Sequence, residues 1–131
     1  MIYQAALPIP AQTDFMDRLG LAFTMPRGTI TRLSILFPSG CAGLAHIRIM
    51  HNEYQVWPST PGQSFIGDGN YMVFDETYTL PDAWNYIRVE GWNEDDSYQH
   101  TINLWLAEEP AEQSWTWETA SEGLAAELGG A

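Results

Sequence analysis

The sequence predicts an all-β fold: a single antiparallel β-sandwich, jelly-roll-like, with an extended N-terminal arm and a short C-terminal tail. Three observations lead there. Between residues 18 and 107 no 3.6-residue apolar periodicity is sustained. Short segments in which apolar and polar residues alternate recur instead, with Pro, Gly, Asn and Asp between them. No helical stretch separates these segments, so the sheets must pack on one another rather than on helices.

Residues 1–13 read as the arm. Ile2, Tyr3, Leu7 and Ile9 are apolar, while Pro8 and Pro10 favour an extended chain suited to lying on a neighbour. The sandwich domain is placed at residues 14–107. Leu19, Leu21, Phe23 and Met25 alternate in a first strand, and Pro26-Arg27-Gly28 reads as a turn into a second, over Thr31, Leu33, Ile35 and Phe37. Pro38 to Gly43 closes that strand. Leu44–Met50 is a third, with Ala45, Ile47 and Ile49 on one face, and Tyr54–Trp57 a fourth, stopped by Pro58. Residues 58–70 form the longest loop. Tyr71–Leu80, Trp84–Trp92 and Tyr98–Leu106 follow, each of sandwich-strand length. The expected core is Leu33, Ile35, Phe37, Ile47, Ile49, Val73, Ile87, Val89, Ile102 and Leu104.

Residues 108–131 change character. Glutamates stand among alanines and two tryptophans, and Ser121 can cap a short helix that places Leu124 and Leu128 on one face. Trp115 and Trp117, two apart, point to one side of an extended segment. The eight partner-binding candidates are therefore Ile2, Tyr3, Leu7, Ile9, Trp115, Trp117, Leu124 and Leu128. Removing either end is expected to leave the sandwich folded.

The 131 residues suffice for one core. Five arginines, no lysine and seventeen acids give a net charge of −12, which opposes binding to nucleic acid or to an anionic membrane. The one cysteine, Cys41, makes no internal disulfide and speaks against the disulfide-centred immunoglobulin pattern. The N-terminus lacks the basic region and continuous apolar run of a secretory signal, so cytoplasmic synthesis without export is expected.

Catalytic patterns are weak, and no catalytic, cofactor or metal residue is assigned. A cupin-type centre needs convergent histidines, but His46 and His51 are five apart and face opposite sides of a regular strand. Glu53 could share a face with His51, which leaves two ligands. His100 reads as a hydrogen-bonded edge or core histidine. The Trp92–Ser97 turn and the Gly67–Asn70 loop offer oxygen ligands for calcium, although Asn and Asp in such turns commonly bond their own backbone. Trp57, Trp84, Trp92 and Trp105 invite a sugar-binding reading, but inside alternating strands aromatics usually serve the core.

Two segments, Phe37-Pro-Ser-Gly-Cys-Ala-Gly-Leu-Ala-His-Ile-Arg-Ile49 and Gly91-Trp-Asn-Glu-Asp-Asp-Ser-Tyr-Gln-His-Thr-Ile102, resemble parts of small uncharacterised sandwich proteins encoded among the virion structural genes of tailed phages. The resemblance covers about residues 18–107 and carries no functional residue over. It implies a non-enzymatic minor capsid or decoration protein located in the virion, an oligomer or part of a larger assembly whose partners are other protein subunits. The competing expectation is a carbohydrate- or calcium-dependent binding module of sandwich type.

Overall fold

Two long stretches, which alternation divides at Pro26 and between Leu80 and Trp84, run on as single strands. The computed structural model describes residues 1–111. Its strands are β1 (Ile2–Ile9), β2 (Leu19–Phe37), β3 (Ala45–His51), β4 (Tyr54–Trp57), β5 (Asn70–Asn93) and β6 (His100–Pro110), with one 3-10 turn at Phe15–Asp17. The all-β antiparallel class is therefore present. The strands hydrogen-bond as one six-stranded sheet in the order β1-β6-β2-β5-β3-β4, rather than as two separate sheets.

The expected turn at Pro26-Arg27-Gly28 is a register shift inside β2. Pro26 lies opposite Trp84 and Gly28 opposite Leu80, so the partner strand takes up the extra residues as an outward bulge. Proline suits such a joint because it has no N–H to give to a ladder. Asn85, fully buried, holds the bulge: its Nδ2 donates to the carbonyls of Met25 and Asp82, and its Oδ1 accepts from the Asp82 amide. Arg27 Nε ties the opposite side to the Pro81 carbonyl at 3.0 Å.

Because β2 and β5 are this long, each belongs to both halves of the sheet. Gly28–Leu36 pairs with β6 and Gly28–Phe37 with the first part of β5, whereas Leu19–Pro26 pairs with the last part of β5, which in turn pairs with β3. The sheet curls until its edge strand β1 lies against the far end of β5. A Cβ added to Gly91 would come within 2.6 Å of Leu7 Cδ2 and 2.7 Å of Ile9 Cδ1, so the absent side chain is what admits β1. Tyr3 stacks on Phe23 across the same closure, with ring centroids 6.0 Å apart.

The core lies between the halves. Leu33, Ile35, Phe37, Ile47, Ile49, Ile87, Val89, Ile102 and Leu104 are all buried, as expected. Val73 is not: it is 45% exposed. Met72 and Tyr78 supply the inward side of that part of β5, and the bulge at residues 81–83 resets which parity faces inward before Ile87.

Both expected ends need correction. Residues 2–9 are not an arm but strand β1, paired with β6 from Ile2–Ala107 to Ile9–His100. Leu7 and Ile9 are 5% and 0% exposed and belong to the chain's own core. The tail does not start at residue 108 either, since Glu108, Glu109 and Pro110 continue β6 opposite Ile30, Thr29 and Gly28.

Candidate functional site

The last part of β5 alternates strictly. Asn85, Ile87, Val89, Gly91 and Asn93 are buried on the inner side, which puts Trp84, Tyr86, Arg88, Glu90 and Trp92 in a row on the outer face. Register brings His46 and Arg48 of β3 opposite Trp92 and Glu90, and Gly20 and Ala22 of β2 opposite Glu90 and Arg88. Arg18 enters from the end of the 3-10 turn.

The Glu90 carboxylate is the centre of this face. Arg48 donates to Oε1 from Nε at 2.7 Å and lies within 2.6 Å of it through Nη2. Arg18 Nε stands 3.2 Å from the same oxygen and Arg88 Nε 3.0 Å from Oε2, as charge contacts without the alignment of a hydrogen bond. Burial alone would raise the Glu90 pKa, but the hydrogen bond and charge of Arg48, followed by the charge of Arg18, outweigh it and hold the carboxyl below its ordinary value. The Phe15 ring lies under the guanidinium groups of Arg18 and Arg48, at 4.4 and 4.9 Å from its centroid. His46 stacks on Trp92 at 5.0 Å and reaches Ser64 Oγ through Nδ1.

Three of the chain's five arginines thus meet on one glutamate, within a protein of net charge −12. One carboxylate balances one guanidinium, so the cluster carries excess positive charge. Arg88 presents it to solvent, with 41% of its side chain exposed. Beside it, Trp84 and Tyr86 are 68% and 43% exposed. Chemically, such a face suits carboxylates bonded to guanidinium and apolar groups laid on the rings.

The other polar constellations bond groups of the chain itself. Asp95 accepts the amides of Ser97 and Tyr98 through Oδ1 and meets His100 Nε2 at 2.8 Å through Oδ2. The Ser97 amide, then the His100 contact, hold its carboxyl below the usual aspartate value. In the Gly67–Asn70 loop, Asp68 Oδ1 accepts the Gly40 amide and Asn70 Oδ1 the Asp68 amide. Both loops weighed for calcium thus direct these carboxylates to the chain's own backbone. Among the described residues, no group of three or more His, Cys, Asp or Glu side chains is placed to hold a metal ion. His46 and His51 do lie on opposite faces. His51 is buried, its Nδ1 2.6 Å from the Tyr78 hydroxyl, whose pKa burial raises.

No family model and no curated protein matches this chain. Residue placement therefore carries the functional argument. Of the partner-binding candidates, Ile2 is 68% exposed, Tyr3 is half-buried on Phe23, and Leu7 and Ile9 are interior. Trp115, Trp117, Leu124 and Leu128 lie outside the described residues. The strand tryptophans divide: Trp57 and Trp92 are buried, Trp105 is half-buried, and Trp84 stands in solvent, where a core role was expected.

The arginine cluster is the feature that sequence reasoning missed. A signal for half of it existed: if Ile87 and Val89 face inward, Trp84, Tyr86, Arg88 and Glu90 must face outward. The other half depends on the pairing of β5 with β3 and β2, which no local pattern specifies.

A second outward surface lies on the other half of the sheet. Leu36 pairs with Tyr71, and Ser34 with both Val73 and Trp105, so these side chains share one face. Leu36, Tyr71 and Val73 are 37%, 61% and 45% exposed, and Tyr71 meets Trp105 edge-on at 6.1 Å. On the same half, Arg32 and Asp75 form an ion pair at 3.0 Å.

Proposed function

We propose that the chain is a non-enzymatic structural subunit, a virion protein of the capsid-decoration or minor-capsid kind, which contacts neighbouring subunits through its sheet. The observation that carries this reading is the outward strip of Leu36, Tyr71 and Val73 around Trp105. Covering one large apolar side chain is worth about 1.5–3 kcal/mol, so a strip of them favours a protein neighbour over solvent. The sheet edges support it: among the described residues, β1 pairs only with β6 and β4 only with β3. The inward placement of Leu7 and Ile9 leaves Ile2 and the edge of β1 as the N-terminal contribution. The resemblance read in the Phe37–Ile49 and Gly91–Ile102 segments is the reason to propose a virion as that assembly.

The test is incorporation. Full-length chain and the variant Tyr71→Ser/Val73→Asp are produced alongside the assembling particle, and particles are separated by sedimentation. The wild type is expected in the particle fraction, and the variant, folded by circular dichroism, in the soluble fraction. Equal incorporation of both would overturn the assignment of this face. A sugar-binding module is the second reading, favoured by the exposure of Trp84 and Tyr86 on one strand face. It predicts a monomer whose tryptophan fluorescence shifts on titration with oligosaccharide.

A further inference from the structure

We propose that the chain's own C-terminal segment, residues 112–131, docks on the outward face formed by Trp84, Tyr86 and the Arg18, Arg48 and Arg88 cluster. Charge points there first. The segment carries Glu112, Glu118, Glu122 and Glu127 and no basic residue, whereas the face concentrates three arginines around one glutamate in an otherwise acidic chain. Carboxylates on partly desolvated guanidinium groups make charge-assisted hydrogen bonds, and elsewhere this chain mostly repels them.

The point of departure agrees. Pro110 is the last residue of β6 and lies opposite Gly28, and the Ala111 amide donates to the Arg27 carbonyl at 3.2 Å. The next residue along β2, Pro26, lies opposite Trp84, which begins the outward row. The segment therefore leaves the sheet beside the aromatic end of the face. Fully extended, residues 112–131 reach up to roughly 65 Å. The row from Trp84 to Trp92 covers roughly 26 Å. Trp115 and Trp117 come early enough in the segment to meet Trp84 and Tyr86, with the later glutamates falling towards Arg88. Gly20 and Ala22 line the β2 side and keep it low.

The proposal rests on the assembly reading only for whether the segment comes from the same chain or from a neighbouring copy. The experiment uses the full chain with Thr119→Cys carrying a nitroxide; Cys41 is 0% exposed and stays unlabelled. Amide signals of Trp84, Tyr86 and Arg88 are expected to lose intensity several-fold against the reduced label, while those of Tyr71 and Val73 on the other outward face do not. The loss should weaken in high salt. It should also weaken in Arg88→Gln and in Trp84→Ser, both altered at exposed positions. Mixing isotope-labelled chain with separate spin-labelled chain tells the same chain from a neighbour.

No broadening, or equal broadening of both faces, would overturn the proposal. The former would leave the face to an acidic partner other than this chain. Broadening within a monomer that never enters particles would keep the docking and refute the assembly reading. Incorporation without broadening would do the reverse.

Discussion

Glu90 shows how one residue organises a surface. Its carboxylate sits where an uncompensated charge could not, and three guanidinium groups from the 3-10 turn, β3 and β5 converge because it is there. Arg48 makes the shortest approach, so Arg48→Ala should cost about 3 kcal/mol in denaturant unfolding, against less than about 1 kcal/mol for Arg88→Ala at the exposed rim. The pH dependence has a definite sign. The folded-state pKa of Glu90 is lowered, so its stabilisation is present above the ordinary glutamate value and is lost as pH falls through the lower folded value. Asp95 adds in the same direction through its Ser97 and His100 contacts. Thermal melts should therefore fall steeply only on the acid side of the usual carboxylate range. Glu90→Gln should flatten that fall, and an unchanged acid limb in this variant would show that the cluster is not its source.

Strands were legible where they obeyed a local rule and illegible where a distant partner set them. Ile47 and Ile49, or Ile87 and Val89, have neighbours of the same parity and a continuous ladder, so alternation placed them inside. Val73 failed because the bulge after Leu80 resets parity, and Pro26 misled because a proline at a register shift looks the same in sequence as a proline in a turn. Strand β1 failed for a third reason. Its partner β6 lies near the opposite end of the described chain, and nothing local to Leu7 or Ile9 reveals that a glycine at position 91 makes room for them. Of the candidate site, alternation marked the Trp84 row, and the pairing of Arg48 with Glu90 stayed hidden. Two outcomes follow for β1. Deletion of residues 1–9 should abolish cooperative melting, because it uncovers Ile102, Leu104 and Leu106 as well as removing Leu7 and Ile9. Gly91→Ala should cost about 1–3 kcal/mol by pushing β1 off β5, read as a lowered urea midpoint with an unchanged slope.

As a whole, the described residues form one curled sheet around a mainly apolar interior, and its two outward faces differ in chemistry. One carries Leu36, Tyr71, Val73 and Trp105 with the ion pair of Arg32 and Asp75; the other carries exposed aromatics beside an arginine cluster. Such a division suits a subunit that meets different neighbours on different sides. Strand edges add to this, with Pro8 in β1 limiting indiscriminate strand addition. Hydroxyl-radical footprinting of the full chain, free and within the particle, tests the subunit reading most directly. Leu36, Tyr71 and Val73 should be modified readily in the free chain and protected several-fold in the particle. Equal modification of these three side chains in both states would contradict it.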